Sequence, residues 1–149
     1  MKLLIRSIKY IVLFFLTLLS IVKANEYSSI VIAHNSIPYD SLSKVEIKNI
    51  FLGNKTRWKN KKRIVIVIYS QAPNSNTFLK KYVGKTFIQY RNYWKKQIFT
   101  GKGNMPLTTN NITNILEFIS KNEGTISFVP ANTICPDNVK IISIVNTIK

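Results

Sequence analysis

The run Ile64–Tyr69, IVIVIY, constrains the fold of this 149-residue chain more than any other segment. Six consecutive apolar and mostly β-branched residues are typical of a strand that is buried on both faces. Such strands belong to sheets that helices cover, whereas a strand with one solvated face alternates apolar and polar residues. The run therefore predicts an α/β fold.

Strand-like and helix-like segments alternate along the rest of the chain. Further strands are predicted over residues 29–33, 125–129 and 139–145, because β-branched and apolar residues dominate there. No run of hairpins interrupts this alternation. We therefore expect a mostly parallel sheet flanked by helices, and the length of the chain allows one domain with its own core.

Helix starts are marked by capping residues. Capping boxes at Ser43–Glu46 and Thr86–Gln89 each predict a helix, the first closed by Gly53 and the second running to about Gln97. A short helix is expected over residues 77–82, after a polar loop over residues 70–76. Asn110 or Asn111 is expected to cap a last helix, which Gly124 ends.

The first 24 residues have the pattern of a secretory signal peptide. A basic start is followed by the apolar run 11–19 and by a cleavage site after Ala24. The alternative is an uncleaved membrane anchor, although the run is shorter than the ~20 residues of a spanning helix. We expect a periplasmic or secreted protein whose single α/β domain covers residues 25–149.

Composition limits the chemistry that the chain can perform. One His, one Cys and six Asp or Glu residues leave little material for a metal site, a Cys/His nucleophile pair or acid–base catalysis. We therefore expect no enzymatic activity, no metal and no cofactor. Cys135 has no partner for an internal disulfide and is interpreted as a partly buried thiol, and His34 as a solvated or capping side chain at a strand end.

The segment from Ile64 to Tyr82 holds the candidate ligand site. A buried strand here delivers hydroxyl and amide side chains to the start of a helix. Helix starts offer free backbone N–H groups and a positive dipole end, and both favour an oxyanion. The candidate ligand-binding residues are Ser70, Asn74, Ser75 and Thr77. The alternative is that these residues only cap the helix.

The chain is strongly basic, with 22 Lys or Arg residues against six acidic ones and a net charge of +16. Removing residues 1–24 leaves 18 basic and six acidic groups, a net charge of +12. Trp58, Tyr90, Tyr93 and Trp94 interleave with the cations over residues 55–63 and 80–96, as stacking platforms for nucleic acid would. A solvated basic face is the simpler interpretation, since Lys is frequent throughout. The glycine-containing segment 99–104 lacks the spacing of a nucleotide-binding loop.

Four segments, in the same order along the chain, resemble bacterial phosphate-binding proteins, the substrate-binding components of phosphate ABC transporters. The first is Leu42-Ser43-x-x-Glu46-Ile47-x-x-Ile50-Phe51-Leu52-Gly53-Asn54-Lys55, followed by Trp58. The others are Ser70 with Thr77-Phe78, Tyr93-Trp94-x-x-x-x-Phe99-Thr100-Gly101, and Glu123-Gly124-Thr125-Ile126-Ser127-Phe128-Val129. The match runs from about residue 30 to residue 129 and implies one lobe of a type II periplasmic binding protein.

The chain departs from the family pattern at the anion loop. Where the full-length family has Arg-Ser-Asp-Gly-Ser-Gly-Thr, this chain has Tyr69-Ser70-Gln71, then Ala72-Pro73, then Asn74-Ser75-Asn76-Thr77. The Arg and Asp that would contact phosphate are missing, while Ser70, Ser75 and Thr77 remain. The length also corresponds to about one of the two lobes that close over the ligand in that family.

The resemblance implies a non-enzymatic protein that binds inorganic phosphate or a similar oxyanion in phosphate uptake or sensing. An inner-membrane transporter or sensor protein is the implied protein partner, and a homo-oligomer stays open. The first alternative is an interaction module without a ligand, which docks onto a membrane protein or an acidic polymer of the cell envelope through its basic Trp58 and Trp94 faces. The second is a basic extracellular nucleic-acid binder.

Overall fold

A computed structural model describes residues 27–146. The signal peptide that the sequence predicts over residues 1–24 lies outside the described residues. Within them, six strands and four helices alternate. The elements are β1 (Ser29–His34), β2 (Ser41–Ser43), α1 (Lys44–Phe51), β3 (Val65–Tyr69), α2 (Asn74–Tyr82), α3 (Phe87–Phe99), β4 (Leu107–Thr109), α4 (Ile112–Lys121), β5 (Thr125–Pro130) and β6 (Val139–Val145).

The strands of the described chain form one sheet in the order β2-β6-β1-β5-β3-β4. The strand β1 pairs antiparallel with both β5 and β6, and the other three pairs are parallel. Five strands therefore run in one direction and β1 runs against them. The predicted α/β class with a mostly parallel sheet and flanking helices is confirmed.

The core lies between the sheet and the helices and includes buried residues from all four helices of the described chain. Every residue of β5 from Thr125 to Val129 is buried, as expected for a strand that is covered on both faces. The Phe128 ring stacks on Phe78 of α2 at a centroid distance of 4.0 Å and contacts Phe51 of α1 at 6.0 Å. These aromatic contacts fix the position of α2 relative to the sheet.

Both predicted capping boxes are present. The Ser43 hydroxyl accepts a hydrogen bond from the N–H of Glu46, and the Glu46 carboxylate accepts one from the N–H of Ser43. Thr86 and Gln89 form the same reciprocal pair at the start of α3. Asn111 caps α4. Local side-chain chemistry thus defined three of the four helix starts in the described chain.

The fourth helix start differs from the prediction. The sequence predicts a loop over residues 70–76 and a helix from Thr77, whereas α2 begins at Asn74. The reason is Pro73, which precedes the helix at φ −87° and ψ −7°, already near helical geometry. Proline has a fixed φ close to the helical value and needs no side-chain cap to begin a helix. Asn74 and Ser75 consequently lie in the first turn of α2.

Candidate oxyanion site

The candidate site lies where β3 ends and α2 begins. Four residues, 70–73, separate the two elements. The Ser70 N–H donates to the Thr109 carbonyl of β4 at 2.9 Å, which continues the parallel ladder one residue beyond β3. The N–H groups of Ser75 and Thr77 donate to the carbonyls of Gln71 and Pro73. The backbone N–H groups of Ser75 and Thr77, which could have bound a ligand, therefore already donate to carbonyls of this turn.

Asn74 and Ser75 carry the strongest sign of a ligand site. Both are buried, at 8% and 1% exposure. The Asn74 amide nitrogen Nδ2 and the Ser75 hydroxyl Oγ have no hydrogen-bond partner among residues 27–146. A buried polar group without a partner costs about 1–3 kcal/mol. These two donors are consecutive in sequence in the first turn of α2, where the positive end of the helix dipole favours an oxyanion.

Two further buried polar atoms of the described chain lack a partner, and they lie elsewhere. They are the hydroxyls of Ser29, at the start of β1, and Thr133, beyond the end of β5. Neither is at a helix start. The pair at α2 therefore stands out because unpartnered donors and a helix dipole coincide there.

Ser70 and Thr77 occupy different surroundings from Asn74 and Ser75. Ser70 is half-buried and lines an open cavity of about 620 Å³. Thr77 is exposed on α2. The structure thus places Asn74 and Ser75 in one buried turn, Ser70 at a cavity whose lining includes neither of them, and Thr77 at the surface.

Arg91 is a candidate site residue that the sequence analysis did not identify as a ligand. It lines the same cavity as Ser70, and its guanidinium lies 5.9 Å from the centre of the Phe87 ring. The N–H of Phe87 donates to the Asn76 Oδ1 atom at 2.9 Å, which joins the start of α3 to α2. Arg91 follows the Thr86 capping box by five residues, but the packing of α3 beside α2 decides which cation faces the cavity.

The local charge at this cavity is positive. Four carboxylates of the described chain pair with lysines, and none of these eight residues lines the Ser70 cavity. The pairs are Glu46–Lys55 at 3.2 Å, Glu117–Lys121 at 2.6 Å, Asp40–Lys140 at 2.8 Å and Glu123–Lys62. Arg91 is in none of them. An anion approaching Ser70 would meet no carboxylate in the lining of the cavity.

The aromatic residues proposed as docking faces or stacking platforms are largely core residues. Trp58, Tyr90 and Trp94 are only 2–4% exposed. The Trp58 indole N–H donates to the Gly124 carbonyl at 2.9 Å, and both Tyr90 and Trp94 donate to the Phe51 carbonyl. Burial raises the pKa of the Tyr90 phenol well above its usual range. Their polar atoms serve the fold, so the docking and stacking roles expected of these side chains are wrong.

The remaining sequence candidates have structural explanations. The His34 Nδ1 atom accepts a hydrogen bond from the N–H of Ser36 at 3.0 Å, at the end of β1. Cys135 is half-buried against the core, and burial raises the pKa of its thiol. In the described part of the chain no three His, Cys, Asp or Glu side chains are grouped to hold a metal ion.

Solved structures of phosphate-binding proteins share this fold. An ABC-type phosphate transport receptor from Vibrio cholerae matches with a TM-score of 0.58 at 13% identity, over 78% of this chain and 45% of the receptor. The protein PstS from Borrelia burgdorferi matches with a TM-score of 0.58 at 15% identity, over 82% of this chain and 49% of PstS. A structure from Clostridium perfringens with bound phosphate matches at 20% identity and a TM-score of 0.58, over 80% of this chain and 46% of that protein.

These matches define the fold as that of phosphate ABC transporter substrate-binding proteins, as the resemblance in the sequence implies. The chain spans a little under half of the length of these proteins. No family model and no curated protein sequence matches it. Among residues 27–146, no helix has the length and apolar character needed to cross a membrane.

Proposed function

We propose that this protein binds inorganic phosphate or a similar oxyanion at the start of α2, as a periplasmic or secreted solute-binding protein of a phosphate-uptake or phosphate-sensing system. The binding domain covers residues 25–149 after removal of the signal peptide. Its role is binding and not catalysis. The fold shared with phosphate-binding proteins supports this proposal at the level of architecture.

The observation that carries the proposal is the pair of unpartnered buried donors at Asn74 and Ser75. An amide N–H and a hydroxyl both donate to an anion without changing their own charge. Phosphate accepts hydrogen bonds on several oxygens and would relieve the cost of leaving both groups unpaired. The α2 dipole adds an attraction of the same sign.

Ser70 and Arg91 complete the proposed site from the neighbouring cavity. The family pattern has an Arg next to the loop serine, and this chain has Tyr69 there. Arg91, on α3, lines the Ser70 cavity and would supply the missing positive charge from a different element. Thr77, which is exposed, contributes less than the other candidates.

We expect the affinity to be modest. Ser70 lines an open cavity, and a ligand held there keeps part of its surface in water. Sites that bind small ligands tightly bury most of the ligand surface. Binding is therefore expected at millimolar phosphate.

Isothermal titration calorimetry with phosphate tests the proposal. We expect saturable heat with the wild-type protein and binding at least about tenfold weaker in Ser75→Ala, since one charge-assisted hydrogen bond is lost. Ser143→Ala, which removes an exposed hydroxyl on β6, is the matched control and should bind as the wild type does. Absence of phosphate-dependent heat at millimolar ligand would refute the proposal.

The proposed protein partner is an inner-membrane transporter or sensor. The Vibrio cholerae neighbour is an ABC-type phosphate transport receptor, which supports a partner of this kind. Capture of a membrane protein on the immobilised protein, with retention at 0.5 M salt, is the expected result. Binding that disappears at high salt with no partner recovered would indicate nonspecific attraction to the basic surface.

A further inference from the structure

A second cavity, of about 520 Å³, lies at the opposite end of β3 from Ser70. It is bounded by the residues that lead into β3 and by the segment between α3 and β4. The lining residues that bear on its chemistry are Lys55, Arg63, Trp94, Lys102, Met105 and Leu107. Strands rise about 3.3 Å per residue, so Ile64 and Ser70 are about 20 Å apart along the chain. This second cavity is therefore distinct from the candidate oxyanion site, although residues 105–107 border both.

The floor of this cavity is apolar. Met105 and Leu107 are 41% and 48% exposed, large values for apolar side chains. The outer edge of the Trp94 indole forms part of the wall. A Cβ at Gly53 would lie only 2.6 Å from the Trp94 Cη2 atom, and one at Gly103 would lie 3.6 Å from Cζ3. Gly53 therefore packs against this edge of the ring and only 4% of Trp94 is exposed, so Met105 and Leu107 supply the accessible apolar surface.

The rim of the cavity is cationic. Lys55, Arg63 and Lys102 line it, and no carboxylate does. Lys55 is engaged, since its Nζ atom donates to Glu46 at 3.2 Å and to the Tyr39 hydroxyl at 3.5 Å. Arg63 and Lys102 have no ion-pair partner within residues 27–146. Two uncompensated cations therefore border an apolar hollow.

We propose that this cavity binds a small organic anion with an apolar body. Ligand pockets of about 300–1,000 Å³ with mostly apolar walls and a few placed polar groups suit molecules of this size. The apolar body would lie on Met105 and Leu107, and the anionic group would face Arg63 and Lys102. Inorganic phosphate has no apolar surface and would gain nothing from this floor. Arg63 and Lys102 line this cavity and not the Ser70 cavity, which distinguishes the proposed site from the phosphate site, whereas Met105 and Leu107 border both.

The test uses the purified protein and two probes, the fluorescent sulfonate 8-anilinonaphthalene-1-sulfonate (ANS) and decanoate. We expect saturable, blue-shifted ANS fluorescence that decanoate displaces and that inorganic phosphate does not. Absence of saturable fluorescence, or no displacement by decanoate, would overturn the proposal.

The variant Arg63→Gln/Lys102→Gln should weaken ANS binding about tenfold, because the charge-assisted contacts are lost. Lys80→Gln/Lys95→Gln removes two exposed cations outside the cavity lining and is the charge-matched control. Equal weakening in both double variants would show that ANS follows net charge and would overturn the proposal. Leu107→Glu, at a half-exposed site that borders both cavities, places a carboxylate at the floor and should weaken ANS and decanoate binding, and phosphate binding as well. An unchanged affinity in this variant would count against the proposed cavity.

Discussion

The two ends of β3 present different chemistry to an anion. At the end that leads into α2, the donors are neutral, buried and backed by a helix dipole, as Asn74 and Ser75 show. At the other end, Arg63 and Lys102 are charged and stand over an apolar floor. The first arrangement suits a small hydrated oxyanion, whereas the second suits an anion with an apolar body.

This difference shows why net charge alone says little about the ligand. The whole chain carries +16, yet Arg91 at the first cavity and Arg63 and Lys102 at the second stand beside different neighbours. Hydrogen-bond donors that lack partners select by geometry, because each demands an acceptor in one direction. Cations attract any anion. At the second cavity the apolar floor therefore decides which anions bind, because it favours those with an apolar body.

The largest loss of stability is expected from Phe78→Ala, at the end of β3 that leads into α2. Phe78 is 1% exposed and stacks on Phe128 at 4.0 Å. Truncation of a buried Phe costs about 3–5 kcal/mol, and here it would loosen α2 over the sheet. Chemical denaturation measures the loss, and phosphate binding should weaken more than ANS binding.

Phe99→Ala is the matched control for that substitution. Phe99 is 96% exposed, and surface substitutions usually change the free energy of unfolding by no more than about 0.5 kcal/mol. A loss in Phe78→Ala as small as the loss in Phe99→Ala would mean that α2 does not depend on this aromatic contact.

The second largest loss of stability is expected from Gly124→Ala, which lies at the Arg63 end of β3. Gly124 has φ +77°, and a Cβ there would lie 2.4 Å from the Arg63 carbonyl oxygen. The left-handed conformation alone costs about 1–2 kcal/mol with a side chain, and the clash should raise the total loss above about 2 kcal/mol. Because Arg63 must shift, ANS binding should weaken more than phosphate binding.

Gly84→Ala separates the cost of the left-handed conformation from the cost of the clash. Gly84 also has φ +77°, but a Cβ there would meet no atom within 4 Å. This variant should therefore show the conformational cost alone, and the difference between the two variants gives the cost of the clash. Equal losses in both would mean that the approach of Gly124 to Arg63 has no energetic consequence.

A smaller effect is expected from Glu46→Gln, which acts on Lys55 at the rim of the second cavity. Burial alone would raise the pKa of the Glu46 carboxyl. Hydrogen bonds from Ser43 and Lys55 outweigh this effect and hold the pKa below its usual value of 4.5. A partly exposed pair of this kind contributes about 0.2–1 kcal/mol. We expect Glu46→Gln to lose about this amount at pH 7, and ANS binding to strengthen slightly because Lys55 is released.

The pH dependence gives this prediction its sign. A carboxyl with a lowered folded-state pKa contributes stability above its unfolded-state pKa, and the contribution is lost as the pH falls through the folded-state value. The stability difference between the wild type and Glu46→Gln should therefore shrink below pH 4.5. A difference that persists unchanged at pH 3 would assign the loss to something other than the ionised carboxyl.

Much of the fold follows from local signals in the sequence. The run at residues 64–69 predicts β3, and the capping boxes at Ser43 and Thr86 predict the starts of α1 and α3, because these signals involve neighbouring residues. The short strands β2 and β4 were not predicted. Each has only three residues and depends on pairing with a distant strand.

The candidate site was harder to predict from the sequence than the fold was. The order of residues 70–77 indicates an oxyanion-binding turn, but burial separates Asn74 and Ser75 from the exposed Thr77. The roles of Arg91 and of the second cavity depend on how α3 and residues 102–107 pack against the sheet. The buried positions of Trp58 and Trp94 likewise result from tertiary packing, which a pattern of aromatic and basic residues does not reveal.

The most direct test of the phosphate site compares the unfolding free energy of the wild type and Ser75→Ala, with and without phosphate. Without phosphate, Ser75→Ala should be as stable as the wild type or more stable by about 1 kcal/mol, because the lost hydroxyl is buried without a partner. Phosphate at 10 times the dissociation constant should stabilise the wild type by about 1.4 kcal/mol and the variant by much less. A variant that is less stable without phosphate and equally stabilised by it would contradict the proposed site.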